Sequence, residues 1–192
     1  EEEVRLRQKR AVMYVEQNVT LMTKERLDVL RLMAANPIVG ESLVAATGGS
    51  AGMANRPSLA ELALALEEYG FDVLVLLGKD GKVLQRTVFG GVNLPATSGV
   101  EHPVIEATLE GDAYAEAGEF DGRMAIVAAA PVQLEGAMVG HMVGVVLFDK
   151  RLAERIKSLA GMDVGFFNNG KLFVATQDDL KNIPLTELLE HG

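Results

Sequence analysis

The sequence predicts an α+β domain built on a five-stranded antiparallel sheet, with a long N-terminal helix and an extra C-terminal hairpin. Three features lead to this prediction. Apolar segments are joined by short turns that contain Gly, which is typical of β-hairpins. Segment 123–133 is apolar at odd and even positions alike, which indicates a central strand covered on both faces. Helical segments are grouped before, between and after the hairpins, and this order favours helices packed on an antiparallel sheet.

The first element is predicted to be one long helix. Residues 3–34 contain neither Pro nor Gly, and Pro37 should end the helix because the residue before a proline avoids helical angles. A helix of about 30 residues spans roughly 45 Å, which exceeds the body of a small domain. Two arrangements therefore stay open: the helix lies on its own domain throughout, or one end of it pairs with a partner helix. Its apolar stripe consists of Val12, Val15, Val19, Met22, Val29 and Met33, and Gln8, Asn18 and Arg26 interrupt it.

The remaining elements follow from apolar periodicity and from turn residues. Further helices are predicted at 39–46, 57–70, 103–109 and 149–159. Strands are predicted at 71–77, 82–89, 113–120, 123–133 and 138–148, followed by a hairpin at 163–176 and a short helix after it. We divide the chain into the long helix (1–36), a domain of sheet and helices (37–160), and an additional hairpin and tail (161–192).

Two of the predicted hairpins resemble one another. The first runs from Asp72-Val73 through Asp80-Gly81-Lys82 to Thr87, and the second runs from Asp163-Val164 through Asn169-Gly170-Lys171 to Thr176. Unrelated hairpins often share such turns. The alternative is that each hairpin opens a similar module, and that the second module is truncated.

Composition and charge exclude several classes of site. The chain has no Cys, so it holds no disulfide, thiolate nucleophile or Cys-ligated metal. Its net charge of −9 disfavours binding to nucleic acid. The three His are far apart in sequence, and we predict neither a bound metal nor haem. No apolar run approaches the length of a membrane span, so neither a span nor a signal peptide is predicted. The chain begins with Glu1 instead of Met and enters a helical pattern at once, so we expect it to be part of a longer protein.

Two apparent catalytic motifs lack the context that their chemistry requires. Residues 48–52 match G-x-S-x-G around Ser50, but a nucleophile elbow needs a strand before it, and a helix is predicted there. Residues 165–171 match G-x-x-x-x-G-K, but Leu172 replaces the Ser or Thr that would hold magnesium. We therefore predict no enzymatic activity.

Arg86 and His141 are the foremost candidate binding residues. Arg86 shares a strand face with Leu84 and Val88, and a guanidinium on an apolar face needs an anion. That anion is either an internal carboxylate or the carboxylate of a ligand. His141 lies in the middle of an apolar strand, either as a satisfied core residue or as a donor to a ligand.

Three further candidates complete the predicted set of donors. The Tyr114 hydroxyl either bonds a carboxylate or covers the surface, and Arg123 is either a ligand contact or a solvated turn residue. His102 precedes a predicted helix, where it either caps the helix or lines the pocket. Ala and Val dominate the surrounding strand positions, so the pocket suits a small organic acid better than a large planar ligand.

The chain resembles the extracytoplasmic Cache sensor domains, the PAS-like ligand-binding domains of bacterial chemoreceptors and sensor histidine kinases. The likeness lies in the order of its elements over residues 10–176. The residues that carry it are the long helix, the hairpin at 73–84, the segment from His102-Pro103 to Gly111, and the strand segments 129–132 and 139–146. The resemblance implies a PAS-like ligand-binding domain at 37–160, in the periplasmic or extracellular part of an inner-membrane receptor with a membrane helix on each side. It also implies a small-molecule site between the sheet and the layer of loop and helix above it.

These observations lead to one main functional hypothesis and two alternatives. In the main hypothesis the chain senses a small carboxylate such as acetate, and the layer formed by about 90–114 closes on the ligand. This closure would bias the long helix, which would form a homodimer. The alternatives are an interaction or dimerisation domain without a ligand, and a serine hydrolase that uses Ser50.

Overall fold

The computed structural model describes residues 19–48, 57–91, 94, 102–168 and 171–177. Its internal contacts divide the chain into two compact units. The sheet unit is Thr23–Val146, and the terminal unit combines Glu1–Met22 with Leu147–Gly192. Our division of the sequence at residues 36 and 160 stays a prediction.

The sheet unit contains the predicted five-stranded antiparallel sheet. Its strands are β1 (Val73–Gly78), β2 (Val83–Val88), β3 (Tyr114–Phe120), β4 (Arg123–Leu134) and β5 (Ala137–Leu147). They lie in the order β2-β1-β5-β4-β3, so β2 and β3 form the two edges. The predicted fold class is confirmed.

The helices of this unit begin and end where local residues favour it. They are α1 (described from Val19 to Ala34, and part of this unit from Thr23 onward), α2 (Pro37–Ala46), α3 (Leu59–Ala65) and α4 (Pro103–Leu109). As predicted, α1 ends just before Pro37, and Asn36 caps α2 by accepting a hydrogen bond from the Ile38 amide at 3.0 Å. The helix predicted at 57–70 instead divides into α3 and a 3₁₀ turn at Glu67–Tyr69, because the last turn tightens before Gly70 takes left-handed angles.

The core consists mainly of aliphatic side chains from the three interior strands. Every residue of β1 is buried, and β4 is buried without a break from Ala125 to Ala130. Segment 123–133 is therefore an interior strand covered on both faces, as its sequence predicted, although the central strand of the sheet is β5 and not β4.

Arg26 corrects our interpretation of the long helix, because it belongs to the buried side of α1 and does not interrupt it. The buried side of α1 is formed by Arg26, Leu30, Met33 and Ala34. The guanidinium donates a hydrogen bond from Nη1 to the Tyr69 carbonyl oxygen at 2.6 Å and lies 5.7 Å from the ring centre of Phe71. Arginine can occupy such a position because its aliphatic stem packs on apolar groups while its head reaches a carbonyl.

The terminal unit contains the predicted α5 (Lys150–Ala160) and the hairpin of β6 (Gly165–Asn168) and β7 (Lys171–Ala175). Asp149 caps α5 by accepting a hydrogen bond from the Leu152 amide, and Gly161 closes the helix in the left-handed region. A small apolar core joins α5 to the hairpin. It comprises Leu152, Ala153, Ile156, Val164 and Phe166, with Met22, Phe148 and Val174 packed against it.

The two similar hairpins share an irregularity that their sequences did not reveal. In the first hairpin the register shifts between Leu76 and Leu77, so that Leu84 has no direct partner. In the second it shifts between Phe166 and Phe167, so that Phe173 has none. Each bulged residue lies two positions after the Lys that follows the turn glycine. This common bulge supports the repeat, whereas the second module stays a prediction.

Candidate functional site

One face of the sheet carries both Arg86 and His141. Arg86 lies directly opposite Val75, and Val75 lies opposite Val143 on the next strand. Directly opposed residues share a face, and so do residues two apart on a strand, which places His141 beside Val143. The two candidate side chains therefore project from the same surface.

Helix α4 covers this surface. The Thr108 backbone on α4 lies close enough to the His141 ring to influence its charge. At the other end of α4, the His102 ring packs on Gly118 of β3, where an added Cβ would lie 3.4 Å from Nε2. We call the sheet surface that carries Arg86 and His141 the α4 face, since α4 covers it at His141 and Gly118.

His141 is fully buried, yet its polar atoms are unsatisfied. Within the described part of the chain, neither ring nitrogen has a hydrogen-bond partner of good geometry. Burial lowers the pKa of His141 below its ordinary value, because the charged ring loses its hydration. The neighbouring backbone of Lys79 and Thr108 acts in the opposite direction on this pKa and only partly offsets the effect of burial. The neutral ring thus lies beside the backbone of Lys79 and Thr108, but neither of its nitrogens makes a hydrogen bond of good geometry among the described residues.

Thr108 adds a second unsatisfied group at the same place. It is fully buried, and its hydroxyl is without a hydrogen-bond partner among the described residues. Buried polar side chains in proteins almost always have partners, because an unpaired group costs about 1–3 kcal/mol. Two such groups under one short helix form a polar spot that a small ligand could satisfy.

The anion that Arg86 requires is the internal carboxylate of Asp121. The two side chains form an ion pair, and each is only 12% exposed. The Arg86 guanidinium also lies 5.8 Å from the ring centre of Phe120. Asp121 belongs to the turn between β3 and β4, so the pair connects the two opposite edges of the sheet. Of the two anions that the sequence left open, the structure holds the internal one.

The structural comparisons identify this architecture. The ligand-binding domain of the Pseudomonas fluorescens chemoreceptor CtaA, solved with L-serine, matches with a TM-score of 0.50 and 18% identity, over 97% of this chain and 78% of that one. The sensor domain of the V. cholerae histidine kinase DctB matches with a TM-score of 0.54 and 12% identity, over 92% and 69%. The periplasmic domain of Vibrio cholerae LuxQ matches with a TM-score of 0.55 and 16% identity, over 94% and 85%.

The chain has the fold of a PAS-like, Cache-type sensor domain. The resemblance predicted from the sequence is confirmed at the level of the fold. No protein-family model matches the sequence, and no curated protein matches it. The matched structures share too little sequence with this chain for their ligands to be assigned to it.

In this sensor-domain fold, His102 acts as a helix cap. Its Nδ1 accepts a hydrogen bond from the Val104 amide at 3.2 Å, which satisfies one of the free amides at the start of α4. Burial lowers the pKa of His102, and the nearby Glu116 carboxylate acts weakly in the opposite direction. His102 thus borders the α4 face while its Nδ1 is engaged by its own helix.

Tyr114 and Arg123 belong to the same strand face but are exposed. Tyr114 is 46% exposed, and its hydroxyl lies 3.5 Å from the Glu116 carboxylate. Arg123 is exposed at the start of β4, opposite Phe120. The structure therefore places His141 and His102 against or beside α4 and Arg86 on the same face of the sheet, and it leaves Tyr114 and Arg123 near solvent.

Sequence reasoning missed Thr108 and Asp121. Thr108 lies four residues after Val104 and three after Ile105, both buried, so helical periodicity could have placed it on the inner side of α4. No local signal links Asp121 to Arg86, because Asp-Gly is an ordinary hairpin turn and β2 lies 35 residues away.

A separate cleft of about 320 Å³ lies at one end of the sheet. It is lined by Val44, Thr47, Gly78, Lys79, Asp80, Met138 and Val139. The Thr47 hydroxyl donates to carbonyl groups of α2, and the cleft is also lined by the exposed Lys79.

The described residues give no support to metal or nucleophile chemistry. No three of their His, Asp or Glu side chains lie close enough to hold a metal ion. Ser50 lies outside the described residues, and the element before it is helix α2 and not the strand that a nucleophile elbow requires. No single described helix is long and apolar enough to cross a membrane. Helices α1 and α2 taken together, with a bend of 66° between them, have a sufficient length and apolar composition.

Proposed function

We propose that this chain is the extracytoplasmic sensor domain of a transmembrane chemoreceptor or histidine kinase, and that it binds a small carboxylate such as acetate on the α4 face without catalysing a reaction. The observation that carries the proposal is the pair of buried, unsatisfied polar side chains, His141 and Thr108, under α4 in a sensor-domain fold. A ligand that enters this spot gains hydrogen bonds that the protein itself does not make among the described residues.

The charge and size of the site favour a small anion. Strand spacing and rise place the Cα atoms of Arg86 and His141 roughly 12 Å apart on one face of the sheet. A guanidinium and an imidazole N–H are both donors to a carboxylate. Val75 and Val143 supply an apolar floor that suits a short alkyl group. Tyr114, Arg123 and His102 lie at the margin and would act on a ligand larger than acetate.

Signalling would use the helices outside the site. A ligand that holds α4 against the sheet biases the receptor only by its difference in affinity for the two states. On the part of α1 that belongs to the sheet unit, Leu32 is 70% exposed. This exposed apolar side chain supports a homodimer through α1, in a receptor with membrane helices on both sides of the domain.

The decisive experiment compares isosteric ligands. Acetate and propionate should raise the melting temperature of the purified chain, whereas acetamide and propionamide, which have the same shape and no charge, should not. At a hundred times the dissociation constant, the ligand should add about 2.7 kcal/mol of stability, which is a shift of several degrees. L-serine is the control for the class of ligand. The variant Arg155→Gln, which changes an exposed cation outside the site, is the control for nonspecific anion binding. Equal shifts with acids and amides would contradict carboxylate recognition.

One observation favours a second candidate, an interaction domain without a ligand. Arg86 already has an internal anion in Asp121, so the positive charge on the α4 face does not by itself require a ligand. If no small molecule stabilises the chain while α1 still drives dimerisation, this second function is the correct one.

A further inference from the structure

The Arg86–Asp121 pair lies where the proposed ligand would bind. Arg86 projects from β2 on the same face as His141, and its partner carboxylate belongs to the turn at the far edge of the sheet. An arginine keeps its charge at every physiological pH, and because the Arg86 side chain is largely shielded from water, a negatively charged partner stabilises it in each state of the protein. A ligand carboxylate and the Asp121 carboxylate therefore compete for the same guanidinium.

We propose that Asp121 is an internal competitor, which occupies Arg86 in the ligand-free protein and is exchanged for the carboxylate of the ligand when the site fills. This inference rests on the proposed function, because it concerns the same ligand and the same face. The exchange has two consequences. It weakens binding, and thereby raises the concentration at which the receptor responds, and it releases the β3–β4 turn from β2.

The turn can release its aspartate without unfolding. Asp121 and Gly122 both have positive φ, 50° and 75°, which is the backbone of a two-residue hairpin turn. The turn at Glu135 and Gly136 has nearly the same angles, 52° and 82°, between β4 and β5. Asp-Gly and Asn-Gly are the preferred sequences for this turn, so its shape follows from local backbone preference and not from the ion pair.

The surroundings of the pair make the exchange sensitive to charge. Both side chains are largely shielded from water, and the guanidinium lies over Phe120. Shielded charges interact more strongly than exposed ones, and a neutral ligand offers nothing to replace Asp121. The internal carboxylate therefore rejects neutral analogues, because only another anion can take its place.

The test uses Asp121→Asn, which removes the charge and keeps a residue that suits the turn. Glu135→Gln is its matched control, since it makes the same change at the corresponding position of the other turn. Acetate affinity is measured by calorimetry at fixed pH and salt. We expect Asp121→Asn to bind acetate roughly ten- to a hundredfold more tightly than the wild type, the range of one hydrogen bond to a charged group. Glu135→Gln should bind like the wild type.

The outcomes separate this inference from the proposed function. Measurable acetate binding that is equal in the wild type and Asp121→Asn overturns the competitor and leaves the sensor function standing. No binding of acetate or propionate in any variant, including Asp121→Asn, overturns the proposed function.

A ligand-free measurement tests the pair itself. Unfolding free energies of Asp121→Asn, Arg86→Gln and the double variant form a double-mutant cycle. Additive effects show that the pair is not formed in solution, which overturns the inference whatever the ligand. If Arg86→Gln does not fold, the acetate affinities of Asp121→Asn and Glu135→Gln, measured by calorimetry, still test whether Asp121 competes with the ligand.

Discussion

The two ends of helix α4 treat their buried polar groups in opposite ways. At the start of the helix, His102 is buried, and its ring accepts a hydrogen bond from the Val104 amide. At the other end, the Thr108 hydroxyl and both His141 nitrogens are buried without partners among the described residues. In the sequence His102 precedes a predicted helix and His141 lies in the middle of an apolar strand, and for each of them both a structural role and a binding role were open. The difference shows that a buried histidine is structural where the fold supplies its partner, and a candidate for binding where it does not.

The largest expected difference between the two ends is in ligand affinity. His141→Leu keeps the volume of the side chain and removes both nitrogens, so acetate binding should weaken roughly ten- to a hundredfold. His102→Asn keeps a capping acceptor, and its acetate affinity should stay close to that of the wild type. Calorimetry with acetate on both variants measures the two affinities. An equal loss in both would mean that His141 has no special role in binding.

The next effect is the stability of the helix start. His102→Ala should lower the free energy of unfolding by about 1–3 kcal/mol, because the cap is lost and the space beside Gly118 is left unfilled. His102→Asn should recover about 1 kcal/mol of that loss, because it restores the cap. Urea denaturation of the three proteins measures both values. A stable His102→Ala variant would show that the cap contributes nothing.

At the C-terminal end of α4, the removal of a polar group should stabilise the protein, whereas at the start of the helix it should destabilise it. Thr108→Val replaces a hydroxyl without a partner by a methyl group of the same shape, and it should raise the free energy of unfolding by about 1 kcal/mol. The same variant should bind acetate more weakly than the wild type. Serine at this position is the control, since Thr108→Ser keeps the hydroxyl. Destabilisation by Thr108→Val would reveal a partner for the hydroxyl in solution.

The smallest effect is the dependence of stability on pH. Burial lowers the pKa of both His102 and His141 from 6.5, so near and below that pH the unfolded chain binds more protons than the native one. The free energy of unfolding should therefore fall as the pH is lowered from 6.5 toward 5. His141→Leu should show a shallower fall, measured by urea denaturation at several pH values. A slope that His141→Leu leaves unchanged would assign the effect to His102 and to the carboxylates.

Local signals account for most of the fold. Asn36-Pro37, Ser58 with Glu61, and Asp149 set helix starts through capping, and the Gly-containing turns set the hairpins. The buried strands were recognisable because a strand covered on both faces is apolar at successive positions and does not alternate between apolar and polar residues. Arg26 was misjudged because its aliphatic stem favours burial while its charged head favours water. The head can be buried here because the Tyr69 carbonyl oxygen accepts a hydrogen bond from it, and this contact is not visible in the sequence.

The sequence by itself determined the order of elements, the interior position of segment 123–133 and the likeness to a sensor domain, since each depends on short-range periodicity and turn chemistry. Only the tertiary structure decided which polar groups are satisfied. Asp121 meets Arg86 across the full width of the sheet, and His141 and Thr108 come together from a strand and a helix. Such contacts depend on the curvature of the sheet and the position of α4, and no pattern of neighbouring residues encodes them.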